Sequence, residues 1–298
     1  MEKADKGGYA IPAFNYSDIW DFLAIIEAAE EEKSAVITSP NPQNVKAIEV
    51  DYWAAIGKVG MQLAKVPVIH HLDHSTSFEL CSECIKKGYP SVMIDGSALK
   101  LEENIALTRK VVEFAHPQGV CVEGELGRIK GKGIESEYEG EDFLVNVEEA
   151  IQFVKETKVD SLAIGIGTVH GFYKDSPELN FERLAEVNEA VQIPLVLHGG
   201  TGIPDEDIKK AISLGMNKVN IGTIIHSTYM KSLKEELNNR DNDPYILEVI
   251  LPVKEKIKKV VKDRIRVCAS SYLSCAGASF NEQNREKLTK FKSVDNLL

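Results

Sequence analysis

Short apolar runs rich in β-branched residues alternate along this chain with longer stretches whose apolar positions recur every three or four residues. The first kind reads as buried strands and the second as amphipathic helices. Residues 9–15 form the first strand, and Ser17-Asp18 caps a helix to about Glu32, with Ile19, Phe22, Ile25, Ile26 and Ala29 on its apolar face. Residues 34–39 make the second strand, stopped by Pro40, and a helix over about 47–64 leads to a third strand at 67–75. A helix over 78–87 ends at Gly88, 91–96 is the fourth strand, 101–115 is helical and 119–126 is the fifth strand. The interval 127–144, rich in Gly, Lys and Glu, is expected to be a mobile loop. A helix over 147–157, a sixth strand over 162–170, a helix over 181–191 and a seventh strand over 194–198 follow. A short helix opened by Pro204 runs to Leu214, and 218–223 is the eighth strand. From about 224 to 298 the pattern is helical, apart from one small extended segment at 266–269.

Strands of this kind, each followed by a helix and apolar on both faces, predict a closed α/β (β/α)8 TIM barrel. The expected organisation is a single domain, with the barrel over about 9–235 and a C-terminal helical extension over about 236–298. An open doubly wound sheet would carry a glycine-rich turn after its first strand, whereas this chain has Asn15-Tyr16-Ser17-Asp18 there.

The polar residues that break the apolar pattern sit at the predicted C-terminal ends of strands. The third strand closes on His71-Leu72-Asp73-His74, and two further strand runs end in His170 and His198. Neighbours on a strand point to opposite faces, so Asp73 and His74 can share one centre only if the chain leaves the strand at that point. Three imidazoles and a carboxylate at the rim of a barrel predict a metal site with an acid/base beside it.

Composition narrows the partners. With 35 basic and 46 acidic residues the net charge is −11, and no basic stripe exists to release counterions from a nucleic acid. No run is long enough to span a bilayer and the N-terminus has no apolar core for a signal peptide, so a cytoplasmic location is expected and no membrane partner. Five scattered cysteines fit reduced thiols, and Cys81-Ser82-Glu83-Cys84, with no second pair, reads as helix packing.

The motifs His71-Leu72-Asp73-His74, Ser91-Val92-Met93-Ile94-Asp95-Gly96-Ser97, Glu102-Glu103-Asn104, Glu123-Gly124-Glu125-Leu126-Gly127, Gly167-Thr168-Val169-His170-Gly171, His198-Gly199-Gly200-Thr201-Gly202 and Asn220-Ile221-Gly222-Thr223 occur in this order. In that order they resemble the class II, zinc-dependent ketose-bisphosphate aldolases, which act on fructose- or tagatose-bisphosphate. The resemblance runs from about Tyr9 to Leu273. It implies reversible cleavage of a ketose 1,6-bisphosphate to dihydroxyacetone phosphate and an aldehyde such as glyceraldehyde 3-phosphate.

Cleavage needs an electron sink at the ketone. Schiff-base aldolases use a strand-end lysine, but here the sixth strand ends in His170, which favours a metal. His74, His170 and His198 would hold one Zn²⁺ per subunit. The resemblance makes Asp73 the acid/base at the bond being cleaved, with Glu125 and Asp95 as alternative metal contacts and a monovalent cation as an additional ion. It also places a proton-moving glutamate in the long loop, where Glu135 is chosen from Glu135, Glu137 and Glu139. Glycine-rich loops after the last barrel strands cradle anions. Gly199, Thr201, Asn220, Gly222 and Thr223, with Gly171 and Lys174 after the sixth strand and Asn15 after the first, form the expected substrate- and phosphate-binding set. A homodimer or homotetramer is expected.

Several positions depart from the family pattern. Ser75 replaces a usual glycine, Ser39-Pro40-Asn41 replaces a Gln-x-Ser segment, Ile224 stands where an acidic residue is common, and the loop lacks the usual Gly-Gly-Glu-Glu-Asp run. The N-terminal stretch is a little short for the helix that plugs the barrel floor in relatives. Two other readings therefore stand beside the aldolase: a zinc hydrolase or epimerase acting on another phosphorylated sugar, and a non-catalytic sugar-phosphate-binding homologue.

Overall fold

The computed structural model describes residues 1–127, 130–131, 144–171, 177–240 and 243–271. Eight parallel strands close into a barrel in sequence order. They are β1 (Ile11–Asn15), β2 (Val36–Ser39), β3 (Val68–Ser75), β4 (Ser91–Ile94), β5 (Cys121–Leu126), β6 (Ser161–Ile164), β7 (Leu195–Leu197) and β8 (Met216–Ile221). β8 pairs back onto β1 through Ile11–Lys218 and Phe14–Ile221, which completes the (β/α)8 fold.

The helices are α1 (Glu2–Gly7), α2 (Ile19–Glu32), α3 (Pro42–Ile48), α4 (Val50–Leu63), α5 (Phe78–Lys86), α6 (Leu101–Ala115), α7 (Val147–Thr157), α8 (Phe181–Val191), α9 (Asp205–Ser213), α10 (Thr223–Asn238) and α11 (Ile246–Val267). Local chemistry sets their starts. Asp18 accepts from the backbone N–H of Trp20 and Asp21 while Asp21 returns the bond to Asp18, a reciprocal cap for α2. Ser77, Asn146 and Asn180 accept from the first turns of α5, α7 and α8.

Strand alternation divides the apolar residues. Val92, Ile94, Val122 and Leu162 face the helices and join the main core, while Met93, Ala163 and Val196 form a separate small cluster inside the barrel. Gly124 is on the outward face of β5, where a Cβ would stand 2.8 Å from the Phe153 ring of α7.

Four expectations from the pattern are corrected. The helix expected over 47–64 is α4, which begins at Val50 and is preceded by a separate α3, the two meeting at Glu49 with φ +76°. The sixth strand stops at Ile164; Val169–His170 forms a separate ladder with Lys130–Gly131. The extended segment at 266–269 is instead the end of α11, whose buried Ile257, Val261 and Ile265 keep helical spacing, followed by a turn at Cys268 and Ala269. Finally, the N-terminal stretch does form a helix: in α1, Ala4 is fully buried and Asp5 accepts a 3.3 Å bond from Asn217 next to the start of β8. α1 therefore lies at the N-terminal end of the barrel, opposite the strand ends that carry the polar motifs. Cys81 and Cys84 are buried free thiols on α5, as the helix-packing reading requires.

Candidate metal and substrate site

Asp73 and His74 do converge, but not because the chain leaves the sheet. β3 continues through Ser75, and its register against β4 shifts between Leu72 and Ser75. At this bulge His74 adopts φ +47°, a left-handed conformation that bulky side chains rarely take, and so turns to the same side as Asp73. Strain is thus spent at the one point where two consecutive side chains must meet.

Asp73 is 1% exposed and both its oxygens are held by amides: Asn15 Nδ2 donates to Oδ2 at 2.8 Å and Asn220 Nδ2 to Oδ1 at 3.0 Å. Burial alone would raise its pKa, but the positive potential of His74, His198, Lys218 and His71 outweighs that and holds it well below the usual carboxylate range. Asp73 is therefore ionised and held in one orientation. Its setting depends on β2, since Ser39 O accepts from Asn15 at 3.1 Å and Pro40 O accepts from the Asp73 N–H at 3.1 Å. The Ser39-Pro40-Asn41 segment thus braces Asn15 and Asp73 through its backbone, and Asn41 caps α3. Ser75 and Ser77 bond each other locally, and Ile224 donates its N–H to Thr201 Oγ1 at 3.2 Å.

His74 and His198 meet across the barrel, Nε2 to Nδ1, at 2.7 Å. The other ring nitrogen of His74 is 3.4 Å from Asp95 and 3.8 Å from Glu125. Burial disfavours a charge on His74, yet Asp73, Asp95 and Glu125 together raise its pKa to about 10. Burial and His74 lower that of His198 to about 4. Asp95 is held near 2, against burial, by His74 and by the Ser97 hydroxyl and N–H. Glu125 goes the other way: burial and the neighbouring Asp95 push it up.

Ligand-type atoms cluster twice around His74. Asp73, His74 and His198 offer one set, and His74, Asp95 and Glu125 another, with the atoms of each set within 4.8 Å of one another. Imidazole nitrogen with carboxylate oxygen is a donor set that zinc accepts. The buried Oε2 of Glu125 has no hydrogen-bond partner among the described residues, a cost that a cation beside it would remove. On both counts the residues fit a metal ion shared or moved between the two sets.

The His170 backbone lies in the short ladder described above, and a Cβ at Gly199 would stand 2.3 Å from Val169 O, so this segment presses against the loop that follows His198. The His170 side chain, Lys174 and Glu135 lie outside the described residues. Asn15, Gly171, Gly199, Thr201, Asn220, Gly222 and Thr223 all line one polar cleft with Asp73, His74 and His198. Gly222 caps α10, so the cleft meets a helix N-terminus flanked by the Gly199–Thr201 turn, an arrangement suited to an anion.

Three buried polar residues beside this site were given no role by the sequence: His71 and Glu123, which stand inside the quoted motifs, and Lys218. Each precedes a recognised site residue by two, on the same strand face, as His71 does Asp73, Glu123 does Glu125 and Lys218 does Asn220. That period-two spacing was the available signal. Asn104, from the Glu-Glu-Asn motif, is structural: its Nδ2 donates to Glu125 O at 2.9 Å.

The fold and the cleft define a (β/α)8 enzyme whose strand ends gather an ionised carboxylate and two overlapping sets of metal-type ligands. The family model of class-II fructose-bisphosphate aldolase matches residues 1–272, and the chain belongs to that family. The crystal structure of the YdjI aldolase from Escherichia coli K12 is similar at 36% identity and TM-score 0.81, over 92% of this chain and 96% of that one. A protein of Coccidioides immitis matches at 29% identity and TM-score 0.85 over 92% and 96%. Fructose-bisphosphate aldolase from Campylobacter jejuni matches at 26% identity and TM-score 0.74 over 91% and 93%. Among the described residues no helix is long and apolar enough to cross a membrane.

Proposed function

We propose that this protein is a zinc-dependent aldolase that reversibly cleaves a ketose 1,6-bisphosphate to dihydroxyacetone phosphate and an aldehyde such as glyceraldehyde 3-phosphate. The observation that carries this reading is the Asp73 carboxylate, gripped by Asn15 and Asn220 and kept ionised, beside the His74–His198 pair.

His74 and His198, with His170 as the third ligand, would hold the zinc, and Asp95 and Glu125 would receive it when it is displaced. Bound there, the ion supplies Lewis-acid polarisation of the ketone. Asp73 removes the proton of the hydroxyl that becomes the aldehyde, and the electron pair of the breaking carbon–carbon bond passes to the dihydroxyacetone-phosphate carbon. Glu135 is the candidate to move the proton at that carbon. Gly199, Thr201, Gly222 and Thr223 bind the phosphate at the α10 N-terminus, with Gly171 and Lys174 as its further expected contacts. A homodimer or homotetramer and a cytoplasmic location accompany this reading.

Metal analysis combined with a coupled cleavage assay over a small panel of ketose bisphosphates tests it. EDTA should abolish cleavage and Zn²⁺ restore it. Full activity in metal-free protein, substrate trapped on a lysine by borohydride, or no turnover across the panel would each overturn the proposal.

A further inference from the structure

Inside the barrel, one layer below the cleft, a chain of buried groups runs from Ser91 to His198. Ser91 Oγ is 2.8 Å from His71 Nδ1, His71 Nε2 is 3.3 Å from Lys218 Nζ, Lys218 Nζ is 2.7 Å from Glu123 Oε2, and Glu123 Oε1 is 3.0 Å from His198 Nε2. Lys218 is 1% exposed, a rare setting for a lysine, and among the described residues its only salt bridge is to Glu123.

The donor inventory gives this chain a single direction. An ammonium only donates, so the Nε2 of His71 accepts and its Nδ1–H points to Ser91. The second ammonium proton goes to Glu123 and keeps it an acceptor. Glu123 can then face His198 only if Nε2 of that ring carries the hydrogen, which leaves the Nδ1 lone pair aimed into the cleft toward His74.

We propose that Lys218 acts as a positioning residue that, through Glu123, fixes the tautomer of His198 and presents its Nδ1 as the metal-binding atom. The inference rests on the zinc aldolase reading only in naming the ion; the tautomer itself is a property of the protein. A metal-ligating histidine anchored through its other nitrogen typically loses about 10–100-fold in metal affinity when the anchor is removed.

The test uses the full chain with Glu123→Gln, Lys218→Met and the double variant. Zinc affinity is read by competition with a chelator, the Co²⁺-substituted protein by its visible spectrum, and the His198 tautomer by nitrogen-15 NMR of histidine-labelled protein. Each single variant should bind zinc about 10–100-fold more weakly and shift the Co²⁺ spectrum. The singles also leave a buried charge without its partner, which destabilises the fold. The double variant leaves none, so its stability should recover while its zinc affinity stays low, a separation that a purely structural role would not produce. Wild-type zinc affinity and an unchanged Co²⁺ spectrum in the double variant, or an Nδ1–H tautomer at His198 in the unsubstituted protein, would overturn the proposal. Wild-type protein that shows the Nε2–H tautomer but binds no zinc would instead overturn the zinc aldolase reading and leave the tautomer relay standing.

Discussion

His198 Nδ1 lies 2.7 Å from His74 Nε2, although the two residues are 124 positions apart in the chain. Two ring nitrogens that close share one hydrogen, donated by one ring to the lone pair of the other. Three carboxylates raise the pKa of His74 to about 10, while burial and His74 hold His198 near 4. The pair is therefore a seat for a single positive charge, carried by His74, with Asp73 adjacent and ionised.

Metal binding and proton transfer should separate between two neighbours of this seat. His198→Ala should lose both bound zinc and turnover. Asp73→Ala should keep near-normal zinc, measured by elemental analysis, and lose about 10²–10⁴-fold in cleavage rate, the usual contribution of one acid/base. Most of the wild-type turnover in Asp73→Ala would move the base elsewhere.

Two rim glycines with similar backbone should respond differently to a methyl group. Gly199 has φ +70° and a Cβ would lie 2.3 Å from Val169 O; Gly171 has φ +99° and, among the described residues, nothing within 4 Å. Gly171→Ala should therefore cost only backbone strain, roughly 1–3 kcal/mol. Gly199→Ala should cost more in denaturation experiments and should also displace the His170 segment, lowering activity further. Equal losses at the two sites would contradict the close approach of the two loops.

Asp21, in the cap of α2, is raised from 3.8 to about 7 by burial and by the neighbouring Asp18. A raised folded-state pKa stabilises the fold fully below the unfolded value of 3.8 and withdraws that stability as pH rises through about 7. Denaturant midpoints for the wild type should thus fall between about pH 4 and pH 7 through this group and level off above that. Asp21→Asn removes the titration and should narrow that fall, whatever constant offset the lost hydrogen bond adds. An unchanged pH dependence would assign it to other groups.

Glu135 can be tested apart from cleavage. If it moves the proton on the dihydroxyacetone-phosphate carbon, Glu135→Ala should slow deuterium wash-in to that carbon while zinc affinity stays constant. A change of less than about twofold, the norm for surface positions, would remove it from the mechanism. The same measurement on Glu137→Ala and Glu139→Ala distinguishes the three loop carboxylates.

Periodicity by itself determined the barrel. Strands buried on both faces must be apolar along their whole length, and their helices need one apolar stripe, so both signals are local and survive in the sequence. The strand-end histidines and glycines were legible for the same reason, because polar residues closing apolar runs stand out. The bulge at His74 was not legible: a left-handed residue without glycine carries no local mark, and only pairing with β4 reveals the slipped register. Nor was the break after Ile164, where the backbone gives up the barrel to pair with Lys130–Gly131 far away in sequence. The Lys218–Glu123 pair stayed hidden because its partners come from strands 95 residues apart and look, one at a time, like ordinary surface charges. Closure of the barrel is what removes both from water and turns them toward each other.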